Sequence, residues 1–205
     1  MQLCAITDRL GTPRPLLGLV EEWSTGGVDF IQLREKDLSE AARQSLTREL
    51  VAKIDRGPSK LLVNVAGPES AVLALEAGAH GVHLAGTPVP GAASRVRKAF
   101  RYTKPIISVP CHSLAEIDVA CAEGVDLILF SPVFGKASPG GKASAGFSQP
   151  PQGLEALRLA CTAAHRTPVL ALGGVTAGNA QDCMAAGAAG IAGIRLFAGE
   201  DWRRL

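Results

Sequence analysis

Four stretches of this chain share one pattern, a glycine followed within a few residues by a short apolar run. They read GGVDFIQL at 26–33, AGAHGVHL at 77–84, EGVDLILF at 123–130 and AGAAGIAGI at 186–194. Gly27, Gly78, Gly124 and Gly187 recur about every 50 residues, with a longer last interval. The pattern constrains the fold because a helix must stop, turn through a left-handed residue and enter a strand, which glycine does without steric cost. Further strand-like runs are Leu3–Thr7, Lys60–Val65, Pro105–Val109 and Pro168–Leu172, and the repeat itself supplies Phe30–Leu33, Gly81–Leu84, Leu127–Phe130 and Gly190–Leu196. These runs are rich in Val, Ile and Leu and lack strict polar alternation, as in strands covered by helices on both faces. Between them lie helical stretches such as Ser39–Asp55, with Ala41, Ala42, Leu46, Leu50 and Val51 on one predicted stripe and Ser39 as its cap. Eight strands alternate with at least seven helices, the last cut short after Asp201, which implies parallel strands and right-handed crossovers. Fourfold recurrence predicts an α/β fold of one (β/α)8 TIM barrel over residues 1–205. An open doubly wound sheet is the alternative.

Composition narrows the class. A chain of 205 residues suits one core, and a net charge of +2 excludes a broadly basic nucleic-acid surface. Any positive field must be local. Cys4, Cys111, Cys121, Cys161 and Cys183 are odd in number and never form a C-x-x-C pair, a usage that fits a reducing compartment and small buried hydrophobes. The opening MQLCAITDRL lacks a signal-peptide pattern, and no apolar run approaches the ~20 residues that span a bilayer. The expectation is a cytoplasmic protein with no membrane partner.

In such a barrel, chemistry collects at the C-terminal ends of the strands. The second strand ends in Gln32, Arg34 and Lys36, which share one parity and suit an anion inside the mouth; alternatively Arg34 and Lys36 pair with Glu35, Asp37 or other surface acids. The third strand ends at Asn64, and His83 on the fourth is read as a hydrogen-bonded core residue. His112 follows the fifth strand, beside a helix expected to begin near Ser113, where an imidazole can take and return a proton. Cys111 has no identifiable partner base. After the sixth strand, the loop Gly135–Gly153 carries Lys136, Ser138, Lys142 and Ser144 among glycines, either a closure over an anion or a solvated linker. After the seventh, Gly173 and Gly174 let backbone amides approach a phosphate, and Arg195, expected on the eighth strand, lies beside that cup. A ligand-free Gly-Gly turn is the alternative there.

Taken in order, GGVDFIQLREKDLS, GAHGVHL, CHSLAEI, DLILFSPVF and VLALGGVTAGNA resemble the thiamine phosphate synthase/TenI superfamily from Ala5 to about Phe197. The resemblance implies a barrel of thiamine biosynthesis, a homodimer, and a thiazole phosphate at the Gly173–Gly174 cup. It places Gln32, Arg34 and Lys36 toward an aminopyrimidine diphosphate or its vestigial site. The synthase branch uses Mg2+ to neutralise a departing diphosphate, which requires acidic ligands. Here the chain departs from the family. Asn64-Val65 stands where synthases read N-D, and Ala85-Gly86-Thr87-Pro88 lacks the acid expected after GVHL. Thr-x-Thr-Lys after PVF is replaced by Lys136-Ala137-Ser138-Pro139, and Pro110 and Arg195 stand where serines are usual.

The TenI branch performs a metal-independent tautomerisation of a thiazole carboxylate phosphate, with a histidine matched by His112 as the proton shuttle. Many synthases carry that histidine too, so the lost acids discriminate better than the histidine does. The expected function is thus a TenI-like isomerase without cofactor. The alternatives are a thiamine phosphate synthase whose Mg2+ is held by substrate oxygens, Asn64 and water, and a non-catalytic binder of thiazole or thiamine phosphate.

Overall fold

The computed structural model describes residues 1–54, 57–135 and 150–205. Its strands are β1 Gln2–Ile6, β2 Phe30–Leu33, β3 Lys60–Val65, β4 Gly81–Leu84, β5 Ile106–Cys111, β6 Leu127–Phe130, β7 Val169–Leu172 and β8 Gly190–Gly193. All pair in parallel in chain order, and β8 closes on β1 from Gln2↔Gly190 to Ala5↔Gly193. That ladder makes the fold a (β/α)8 barrel and rules out the open sheet. The helices are α1 Leu16–Thr25, α2 Glu40–Ile54, α3 Pro68–Glu76, α4 Ala92–Ala99, α5 Leu114–Ala122, α6 Gly153–Ala163, α7 Ala180–Ala185 and α8 Arg195–Ala198. Among the described residues no helix is long and apolar enough to cross a membrane.

The repeated glycines do what their spacing predicts. Gly27, Gly78, Gly124 and Gly187 have φ of +88°, +96°, +64° and +100°, each reversing the chain between a helix and the next strand. Strand alternation then sorts side chains into two apolar layers. Ala5, Ile31, Val63, Val82, Ile107, Ile128 and Ile191 face the helices, whereas Cys4, Ile6, Leu62, Leu127, Leu129, Leu170 and Ala192 fill the barrel. The filled interior is a packed core. Burial in it pushes the Cys4 thiol up to about 12, so Cys4 behaves as a hydrophobe.

Three details differ from the sequence reading. On α2 the buried residues are Thr47, Leu50 and Ile54, while Ala41 and Ala42 are exposed. The apolar stripe is therefore rotated, because Thr47 satisfies its hydroxyl on the Arg43 carbonyl at 2.7 Å and so tolerates burial. The fifth strand runs on to Cys111. The eighth stops at Gly193, so Arg195 opens α8 instead of standing on the strand. Because α8 has four residues, the short 3-10 helix Asp201–Arg204 completes the outer layer. Its buried Trp202 stacks on Phe197 at 6.1 Å, and Phe197 meets Trp23 edge-on at 6.4 Å. The Trp23 indole N–H donates to the Phe197 carbonyl at 3.0 Å.

Candidate active site at the barrel mouth

The segment 131–135, directly after β6, organises one side of the mouth. The backbone N–H groups of Val133 and Phe134 donate to the carbonyls of Leu172 and Gly173, both at 2.9 Å. The Ser131 carbonyl accepts the His112 Nδ1 at 2.6 Å and the Gln152 side-chain amide at 2.9 Å. A carbonyl only accepts, so the proton of neutral His112 sits on Nδ1 and the Nε2 lone pair is left for other work. The backbone N–H of His112 is held in turn by the Glu116 carboxylate, and Ser113 caps α5 by accepting the Glu116 N–H at 3.3 Å. His112 is thus oriented from both sides.

The same segment explains the double glycine. Gly173 and Gly174 have φ of +97° and +66°. A Cβ on Gly173 would meet Pro132 at 2.9 Å, and one on Gly174 would meet the Gly135 carbonyl oxygen at 2.4 Å. Backbone packing requires both glycines whatever lies in the mouth. Beside them opens a cleft of about 190 Å³, lined by Asp8, Gly173, Gly174, Ile194 and Arg195 among others. A second hollow adjoins it and shares Gly174 and Arg195. The glycine turn and Arg195 are therefore brought together, with Asp8 in the same lining.

The other side of the mouth is built from side chains. Gln32 is buried, and its amide N–H donates weakly to the Asn64 Oδ1 at 3.4 Å, while its own Oε1 is buried without a partner. An orphaned acceptor there suits a donor on a bound ligand. His83 and Ser108 are bonded at 2.8 Å next to this pair, across the β4–β5 ladder. Burial, helped by the Arg34 charge, lowers the His83 pKa to about 3, which keeps the ring neutral and confirms it as a hydrogen-bonded core residue.

Arg34 and Lys36 do not share a role. The Arg34 N–H donates to the buried Thr7 hydroxyl at 2.9 Å, fixing the chain at the rim, whereas Lys36 lies exposed in the turn beyond β2. Strand parity ends at Leu33, so it does not carry Lys36 into the mouth. The alternative pairing with Glu35 and Asp37 is not seen either. Arg9 takes both acids, and Glu35, itself buried, accepts the Arg9 backbone N–H at 3.1 Å.

Lys136, Ser138, Lys142 and Ser144 lie outside the described residues. Cys111 faces the helix layer with its thiol pushed up to about 12, chiefly by burial, which removes it as a nucleophile. Ser108, Ser131 and Gln152 were not singled out from the sequence. Only Ser131 had a signal, its place at the end of a strand.

The donors at the ends of β3 and β4 do not fit a magnesium ion, which favours carboxylate oxygen. Asn64 is followed by Val65, buried against the helices, and Leu84 by Ala85 and Gly86. The carboxylates nearest in sequence to the rim, Asp8 and Glu35, accept backbone N–H groups of Gly11 and Arg9. Among the described residues no three His, Cys, Asp or Glu side chains gather as a metal site.

Comparison with known proteins places this chain in a family. The model described as thiamine monophosphate synthase matches residues 3–197. A thiamine-phosphate synthase of Methanoculleus marisnigri is 37% identical over 206 residues, covering 97% of this chain and 88% of the relative. One of Chlorobium luteolum is 35% identical over 192 residues, covering 94% of this chain and 82% of its own. The solved structure of a thiamine phosphate pyrophosphorylase from Pyrococcus furiosus superposes with a TM-score of 0.75 at 26% identity, covering 99% of this chain and 90% of that one. These names belong to the synthase side of the superfamily, not to the TenI-like side that the lost acids suggest. With 195 of its residues matched end to end and a closed barrel carrying the mouth described above, the chain belongs to the thiamine monophosphate synthase/TenI family.

Proposed function

We propose that the barrel mouth binds a thiazole phosphate and moves a proton within it, as a TenI-like isomerase. The observation that carries this reading is the donor set at the ends of β3 and β4, where Asn64-Val65 and Ala85-Gly86 offer no carboxylate for a metal that a departing diphosphate requires. A proton shift has no such requirement. His112 supplies the base: Nδ1–H is tied to the Ser131 carbonyl, so Nε2 takes a proton from the substrate and returns it at a second position. The same carbonyl stabilises the imidazolium between the two transfers. Gly173, Gly174 and Arg195 line the cleft that receives the phosphate. Gln32 Oε1 and Asn64 face the remainder of the ring.

The test is turnover of a thiazole carboxylate phosphate tautomer followed by NMR. Wild type is expected to convert it with and without chelator, and His112→Asn to lose about 10²–10⁴-fold in rate. Equal rates in the two proteins would overturn the assignment. A second reading, thiamine phosphate synthase, is favoured by the names of the relatives. It predicts thiamine phosphate from aminopyrimidine diphosphate, thiazole phosphate and Mg2+, detected as thiochrome and abolished by chelator. Phosphate-dependent thermal stabilisation without turnover in either assay would leave a binding protein.

A further inference from the structure

Away from the mouth, a second cavity of about 100 Å³ lies in the outer layer. Leu84, Val109, Ala93, Ala120 and Val125 make its walls apolar. Into this lining comes one carboxylate, Glu123, which ends α5. Its Oε1 accepts the Gly91 N–H at 2.6 Å and so caps α4, whose own N-cap residue has no side chain to do it. Capping uses one oxygen. The other, Oε2, is buried and has no hydrogen-bond partner. Among the described residues Glu123 makes no ion pair, although Arg95 lines the same cavity, and α5 carries no basic residue in its last turn.

A carboxylate oxygen without a hydrogen bond against apolar walls is costly, even with the α4 N-terminus and Arg95 beside the carboxylate. The geometry points to a binding site for a small organic cation, an alkylammonium or amidinium whose N–H groups meet Glu123 Oε2 while its carbon body fills the apolar walls. The volume admits a body smaller than benzene, which occupies an engineered cavity of about 150 Å³. The cavity also reaches Ala66 and Ala85, which directly follow β3 and β4, so an occupant would sit behind the strand ends that carry Asn64 and His83. This site is independent of the isomerase reading.

The experiment follows the amide resonances of Gly91 and Glu123 in the whole 15N-labelled chain while isopropylamine is added, with propan-2-ol as the uncharged isostere. Saturable shifts with the amine, at least about tenfold weaker with the alcohol, are expected, since a charge-assisted hydrogen bond contributes about 1.5–3 kcal/mol. Glu123→Gln keeps an oxygen for the Gly91 cap but replaces Oε2 by a donor, and is expected to weaken the amine by a similar factor with wild-type dispersion elsewhere. Should that variant not fold, Ala93→Leu fills the cavity, leaves the carboxylate in place and is expected to abolish the shifts. Absence of saturation in wild type, as when water alone occupies the cavity, overturns the proposal. So does undiminished amine binding in Glu123→Gln or in Ala93→Leu.

Discussion

The two sides of the mouth are made by different means. From β6 to β8 the surface is backbone: segment 131–135 threads past Gly173 and Gly174, holds His112 through one carbonyl, and leaves an open cleft with Asp8 and Arg195 in its lining. From β2 to β5 it is side chain, with Gln32, Asn64, His83 and Ser108 packed inside the barrel and close to neutral. A backbone wall offers a ligand N–H groups whose positions are locked by the fold, which suits an anion. A side-chain wall offers shape and single hydrogen bonds, which suits a ring. The strand ends without carboxylates, Asn64-Val65 and Ala85-Gly86, both lie on the second wall and limit the chemistry available there.

That contrast can be broken from either side. The largest expected effect is on the side-chain wall and is read by pH. Because the His83 pKa is lowered from 6.5 to about 3, the unfolded chain binds a proton below 6.5 that the folded chain refuses. Stability therefore falls as pH drops from about 6.5 toward 3, by about 1.4 kcal/mol per unit from this one group and up to about 4–5 kcal/mol in all. His83→Gln is expected to flatten the slope by that amount in urea melts at successive pH values. An unchanged slope would mean the ring is not buried neutral.

On the backbone wall, Gly174→Ala forces a Cβ onto the Gly135 carbonyl and asks a non-glycine residue to hold φ of +66°. A loss of about 1–3 kcal/mol is expected in thermal melts, together with weaker phosphate binding. If stability fell without any loss of phosphate affinity, the turn would be structural only. The smallest effect belongs to Gln32→Leu. Its Oε1 has no partner, so stability should change by less than about 1 kcal/mol and in either direction. Affinity for the heterocycle should fall in calorimetric titration, and phosphate affinity should not.

How much was legible depended on whether the physics was local. Four strands were read to the residue, namely Phe30–Leu33, Lys60–Val65, Gly81–Leu84 and Leu127–Phe130, because each is a run of apolar residues bounded by a turn. Fraying ends were harder. The apolar run continues through Ile194 and Leu196 and so predicts Arg195 on a strand, yet the ladder with β1 stops at Gly193. Strand parity puts Lys36 in the mouth only when extended past Leu33, the last residue that has it. Ser131 has only its place after a strand as a signal and Gln152 has none, because what makes them matter is one carbonyl, that of Ser131, accepting from the His112 ring and from the Gln152 amide across 19 and 21 residues of chain.

The sequence by itself determined a parallel α/β fold and favoured the barrel, since glycines at regular spacing and doubly buried strands leave few other ways to cover every apolar face, and the β1–β8 ladder then decided against an open sheet. It also determined that the ends of the third and fourth strands carry no carboxylate, which is a matter of residue identity alone. Only the tertiary structure decided which nitrogen of His112 is left for chemistry, why both Gly173 and Gly174 must lack a side chain, and that Arg9, not Arg34 or Lys36, occupies Glu35 and Asp37. Each of these depends on which groups come within about 3 Å across the mouth, and contacts of that range between distant strands leave no local trace in the chain.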